Sequence, residues 1–227
     1  MMRRGLIIAA CLAASCSPSG EDNDSADSPG GPKPAITVVT VASRGGTCSY
    51  LWNQEPITEQ GIGGKSVAAI GEAIDGAGGI ENLMNAETVQ LRLEGAPDVP
   101  YSCTGPALRQ LGRAGLVDVV LKPAGGSGQK ASFITDSPPG GPVAIVRLTK
   151  GGLSWDGRPV DRAGLLERAQ AEAANRPPVD LVVSPAEDSG FLELHDALAT
   201  IRLGGMEAIL SGCAGTSGPI RESGPIC

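Results

Sequence analysis

Two seven-residue stretches of this chain share one pattern at one spacing. The first is Trp52-Asn53-Gln54-Glu55-Pro56-Ile57-Thr58, and the second is Trp155-Asp156-Gly157-Arg158-Pro159-Val160-Asp161. Each holds Trp, a turn former, two variable residues, Pro, a β-branched residue and a helix-capping residue. Each follows a Gly-Gly pair, Gly45-Gly46 or Gly151-Gly152, and the two Trp are the only ones in the chain. A pattern recurring at this distance reads as a tandem duplication, which constrains architecture more than any local propensity does.

A second set of matches extends the repeat. Asp98-Val99-Pro100-Tyr101, Ala107-Leu108 and Gly115-Leu116 correspond to Asp188-Ser189-Gly190-Phe191, Ala197-Leu198 and Gly205-Met206, each offset by 90. Copy one carries 13 more residues between its Trp and its Asp. The Gly-rich stretches 60–65 and 76–79 are the places where extra loop length costs least.

The N-terminus has targeting character. Arg3 and Arg4 precede an apolar run from Leu6 to Ser15, shorter than the roughly 20 residues a membrane span needs. The run ends Leu12-Ala13-Ala14-Ser15-Cys16, which resembles a bacterial lipobox whose Cys is lipidated. Cys11 has a shorter apolar run before it. Residues 1–16 are therefore expected to be a lipoprotein signal segment and Cys16 the lipid-bearing residue. In such lipoproteins, a residue other than Asp after the Cys, here Ser17, implies outer-membrane sorting. Residues 17–35 are polar and rich in Ser, Pro, Gly and Asp, and read as a disordered tether. Asp22, Asp24 and Asp27 lack the loop Gly and distal Glu of a calcium loop.

The remainder divides into repeat one (36–122), a linker (123–141), repeat two (142–212) and a tail (213–227). In repeat one, strands are expected at 36–41, 47–52, 89–93 and 116–121. Ser66 is expected to cap a helix with Val67, Ile70 and Ile74 inward, and Pro106 to sit at the N1 position of another. Phe133-Ile134 in the linker reads either as a short strand or as a docking contact. In repeat two, strands are expected at 143–148, 153–155, 179–183 and 206–210. Asp161 caps a helix with Leu165, Leu166, Ala169 and Ala173 inward. Phe191, Leu194, Leu198 and Ile201 have helical spacing, closed by Gly204-Gly205. Both copies thus read ββαβαβ, an α+β class in which each repeat is a small sheet with two helices on one face.

Candidate chemistry is sparse. Gly61-Ile62-Gly63-Gly64-Lys65-Ser66 resembles the end of a phosphate-binding loop, but Glu59 stands where the first Gly belongs. It reads as a loop running into the Ser66 cap. His195, the only His, has no ligand or nucleophile partner at a defined spacing. It reads as a partly exposed helix residue. Asp98 and Asp188 each precede an aromatic and a helix, so they read as turn or helix caps, with a paired acid in a cleft as the catalytic reading. Tyr101 and Phe191 accompany them as candidate binding residues, and Trp52 and Trp155 are expected to pack in the core. No metal and no cofactor is expected. The net charge of −7 and pI near 4.8 argue against a nucleic-acid partner, which requires a basic footprint.

With Cys16 lipidated, Cys48, Cys103, Cys213 and Cys227 remain beyond the signal segment. In an oxidising compartment these four allow three pairings. Cys48–Cys103 would staple repeat one, and Cys213–Cys227 would tie down the tail.

These motifs resemble the periplasmic domain of the ExbD/TolR proteins, which serve proton-driven envelope motors. In repeat two the resemblance rests on the Gly-Gly turn, Trp155-Asp156-Gly157-Arg158-Pro159-Val160, Ala186-x-Asp188, Phe191, Asp196-Ala197-Leu198 and Gly205. Repeat one matches more loosely, through Asp98-Val99-Pro100-Tyr101. Family members also carry a membrane helix with a proton-conducting Asp, and no acidic residue lies in the apolar run here. The resemblance therefore implies the periplasmic module alone, doubled and tethered by lipid. It would be a non-catalytic protein that binds an envelope protein or peptidoglycan, linked to biopolymer transport or Tol-type systems. The alternative is a small periplasmic enzyme or enzyme inhibitor that uses the cleft between repeats.

Overall fold

The computed structural model describes residues 35–79, 89–114, 118–134, 143–175 and 179–211. Repeat one contributes β1 (Ala35–Arg44), β2 (Thr47–Trp52), β3 (Glu55–Ile57), α1 (Glu59–Ala77), β4 (Val89–Gly95), α2 (Tyr101–Arg113) and β5 (Asp118–Pro123). Then comes β6 (Gln129–Ile134). Repeat two contributes β7 (Val143–Thr149), β8 (Gly152–Trp155), β9 (Arg158–Val160), α3 (Arg162–Ala173), β10 (Asp180–Pro185), α4 (Phe191–Leu203) and β11 (Ala208–Ser211). The class is α+β, and the duplication is visible in the matching element order.

The shared Trp motif builds the same turn twice. Asn53-Gln54 and Asp156-Gly157 adopt positive φ and reverse the chain into the short strands β3 and β9. The side-chain oxygens of Asn53 and Asp156 each accept from a strand amide, that of Val38 or Ile145, at 2.9 Å. The amides of Asn53 and Asp156 return bonds of 2.9 Å to the carbonyls of those same residues. Thr58 and Asp161 then cap α1 and α3 by accepting from Gly61 N and Gly164 N. The short strands β3 and β9 add a third ββ partner to each copy that the ββαβαβ reading lacks.

The two expected sheets are one. Eleven strands run in the order β3-β2-β1-β4-β5-β6-β11-β10-β7-β8-β9. The physical reason lies in the expected linker. β6 pairs antiparallel with β5 and parallel with β11, so it fills the gap between the last strand of each repeat. Phe133-Ile134 therefore belongs to a strand. Registers place Tyr50, Val41, Val39, Leu93, Leu121, Val119, Ala131, Leu210, Val183 and Val146 on one side of this sheet, all buried. Ile62, Leu108 and Leu111 of the first pair of helices, and Leu165, Leu194 and Leu198 of the second, join the same apolar cluster.

Two helix readings need correction. Ser66 does not cap a helix: α1 starts at Glu59, and Ser66 lies inside it, its hydroxyl donating to Ile62 O at 2.7 Å. Residues 61–65 are thus helical rather than looped, because the Thr58 cap nucleates the helix ahead of them. Gly63 suits close packing, since a Cβ there would lie 3.1 Å from Gln110 Oε1 of α2. The inward face is set by Ile62 and Ser66, and Val67 points outward at 58% exposure. Pro106 likewise is not at N1 but inside α2, whose N-cap is Pro100. Of the described helices, none is long and apolar enough to cross a membrane.

Candidate functional site at the junction of the repeats

The equivalent turns before α2 and α4 meet each other. Tyr101 N donates to Ser189 O (2.8 Å) and Ser102 N to Glu187 O (2.8 Å). In return Phe191 N donates to Val99 O (2.9 Å) and Leu192 N to Pro97 O (3.0 Å). Under the 90-residue offset, the second pair of bonds repeats the first with the copies exchanged, and Pro100 and Gly190 form the bridge between them. A helix start leaves amides that need acceptors. Here each helix finds them in the other repeat's backbone, and neither Pro100 nor Gly190 supplies a side-chain cap.

This arrangement revises the roles expected of the motif. Asp98 and Asp188 are exposed and do not cap these helices, because carbonyls from across the junction have taken that place. Tyr101 and Phe191 are 2% and 1% exposed, which places them in the core. A Cβ at Gly95 would touch the Phe191 ring at 3.5 Å, so Phe191 of repeat two sits on β4 of repeat one. Tyr101 of repeat one reaches the other way, its hydroxyl donating to Ser211 O on β11 at 3.2 Å. Burial pushes the Tyr101 hydroxyl up to about 12, with Arg109 opposing. Burial also raises Tyr50, with Glu59 adding to the shift and Arg109 opposing it.

His195 is not the partly exposed residue expected. It is 7% exposed, because α4 packs against the β5–β6 turn. Its Nε2 lies 2.9 Å from Ser127 O and its Nδ1 3.1 Å from Asp196 Oδ1. Asp196 continues the chain through Oδ2 to Arg162 Nη1 at 3.2 Å, and Arg162 Nε donates to Thr200 Oγ1 at 3.0 Å. Asp98 and Asp188 have no hydrogen bond to this network. The Arg162 side chain is 62% exposed, so its ion pair orients Asp196 more than it stabilises the fold.

Beside that network lies a cavity of about 350 Å³ between the β7–β8 turn, the start of α3 and one face of α4. Leu148, Leu153 and Ala197 give it apolar wall, and Lys150, Arg162, Glu193 and Asp196 give it charge. None of Lys150, Arg162 or Glu193 stands out by motif. The available signal was a mismatch: Glu193 falls where repeat one has Cys103, under the same offset that matches Tyr101 to Phe191.

Cys48 and Cys103 are joined as a disulfide, with Cα atoms 5.3 Å apart. Cys16, Cys213 and Cys227 lie outside the described residues. Trp52 and Trp155 are buried, and Lys65 is exposed in mid-helix. Among the described residues, no group of three or more His, Cys, Asp or Glu is arranged to hold a metal ion. No protein-family model, curated protein or solved structure matches this chain.

Proposed function

We propose that this chain is a non-catalytic envelope protein. A lipid on Cys16 holds it at the outer membrane, facing the periplasm, and its two ExbD/TolR-like repeats bind an envelope protein or peptidoglycan. The observation that carries this reading is the reciprocal pairing of the two pre-helix turns. Three residues of the repeated motif and its helix build the scaffold: Tyr101 and Phe191 are buried across the junction, and His195 ties α4 to the β5–β6 turn. Fusing two copies through one sheet gives a wide surface.

The mode of binding follows from the sheet. An edge strand can accept a partner strand, but both outer edges here are three-residue strands with Pro at the centre, Glu55-Pro56-Ile57 and Arg158-Pro159-Val160. Proline lacks the amide that strand addition uses. Recognition is therefore assigned to faces and loops.

The reading is tested in two steps. A soluble form lacking residues 1–35 should sediment with purified cell wall, or crosslink in cells to an envelope protein identified by mass spectrometry. Cys16→Ala in the full chain should move the protein from the membrane to the soluble periplasmic fraction. A soluble form that binds neither partner class would remove the binding reading, and membrane retention of Cys16→Ala would remove the anchor.

A further inference from the structure

The two repeats diverge most at one hairpin. In repeat one, β1 and β2 pair over six positions, from Val39↔Trp52 to Arg44↔Thr47. In repeat two, β7 and β8 pair over four, from Val146↔Trp155 to Thr149↔Gly152. The longer hairpin carries Cys48 to its bridge with Cys103 on α2. It also carries Tyr50, 8% exposed, whose hydroxyl donates to Cys103 O at 3.0 Å. Together the bridge and the ring close the space between hairpin and helix.

Repeat two lacks every part of that closure. Leu153 stands at the position of Tyr50, two residues before the Trp, and Glu193 at that of Cys103. The chain has already turned, at Gly151, where Cys48 would be. The cavity of about 350 Å³ lies in this unfilled place. Its volume is at the small end of the range for ligand sites, a fit for two amino-acid residues.

The charges of the lining divide into two sets. Arg162 and Asp196 satisfy each other, and Thr200 and His195 hold them in place. That pair forms a neutral wall. Lys150 on the hairpin turn and Glu193 on α4 remain. Glu193 is oriented by accepting from Gly190 N at 2.8 Å through one carboxylate oxygen. Neither Lys150 nor the second oxygen of Glu193 makes a further hydrogen bond or ion pair among the described residues. The site thus presents one cation and one anion from different elements, over the apolar surface of Leu148, Leu153 and Ala197.

We infer that this cavity binds a short peptide with free termini. Its ammonium group meets Glu193, its carboxylate meets Lys150, and an apolar side chain rests on Leu148 and Leu153. A uniformly charged ligand would leave one of the two groups facing its own sign, and an uncharged one would desolvate both without compensation. The inference rests on the cavity alone and goes beyond the envelope reading. Its failure would leave the cell-wall and crosslinking results untouched.

The probe is the dipeptide Ala-Leu, titrated into the full chain by calorimetry, with chemical-shift mapping of the amides of Lys150 to Leu153. Saturable binding with a Kd of about 1 mM or tighter is expected, the range open to a ligand with so few contacts. N-acetyl-Ala-Leu-amide should bind at least about tenfold more weakly, as should the unblocked dipeptide to Glu193→Gln and to Lys150→Gln, each variant losing one charge-assisted contact. Leu153→Tyr, which installs the residue of repeat one, should abolish binding with the melting temperature held or raised. Equal affinity for the blocked peptide would overturn the inference. So would an absence of saturable binding, or full affinity in both charge variants. Because Lys150 and Glu193 are exposed, those variants report on the ligand even should Leu153→Tyr fail to fold.

Discussion

At the scale of single residues, each copy shows what the other tolerates. Thr104 is wholly buried in α2, and its hydroxyl has no hydrogen-bond partner among the described residues. Its counterpart in repeat two is Leu194, a core residue. A buried hydroxyl without a partner carries its desolvation cost uncompensated. Thr104→Val should therefore raise stability by about 1 kcal/mol in urea unfolding, and a loss of that size would show that the hydroxyl has a partner after all. Tyr101 has a counterpart that lacks its hydroxyl, Phe191. The folded state holds the Tyr101 proton up to about 12 against an ordinary value of 10.0. A raised folded pKa contributes stability in full below the unfolded value and loses it as pH climbs through the folded one. The stability of the wild type relative to Tyr101→Phe should fall by about 2 kcal/mol between pH 10 and 12, about 1.4 units at 1.36 kcal/mol each. A pH-independent difference would contradict this assignment.

At the scale of elements, the turns and the hairpins carry the contrasts. Gln54 holds φ +74 where repeat two has Gly157 at φ +77. A side chain in the left-handed region costs about 1–2 kcal/mol relative to glycine. Gln54→Gly should stabilise the β2–β3 turn by about 1 kcal/mol, checked by the shift in thermal midpoint. The longer hairpin depends on its staple. Replacing Cys48 and Cys103 together by Ala should cost about 2–5 kcal/mol, and hydrogen exchange should quicken first in β1 and β2. Uniform loss of protection across both repeats would show that the bridge is not local in effect. The helix boundaries teach a related lesson. The Thr58 cap was visible within the repeated motif, yet Ser66 followed by apolar residues reads just as well as a helix start. Both residue types can cap, and in the structure Thr58 is the one whose side chain accepts from the helix, at Gly61 N.

At the scale of the whole molecule, the repeats are joined through one sheet. Four backbone hydrogen bonds cross the junction, β6 joins the last strand of each copy, and Tyr101 and Phe191 each lodge in the opposite half. The described residues accordingly form one compact unit. Calorimetry should show a single transition with calorimetric and van't Hoff enthalpies in agreement. Two resolved transitions would mean that each repeat is stable alone and that the junction is an accessory.

The sequence by itself determined what depends on near neighbours. Alternation placed β4, runs of β-forming and apolar residues placed β1, β2 and β7, helical spacing placed α4, and the Trp motif marked both turns with their caps, because those signals act within a few residues. The duplication came from the same local matches, compared across the chain. Tertiary structure alone decided the rest. β6 becomes a strand only where β5 and β11 leave a gap of its width. The Asp98 and Asp188 turns lose their capping role because carbonyls from a segment 90 residues away arrive first. His195 is buried by a turn that sequence proximity does not bring to it. The cavity exists because a hairpin is two paired positions shorter per strand than its twin. Each of these is a competition between distant groups for the same space or the same hydrogen bond, and local propensity does not register who wins it.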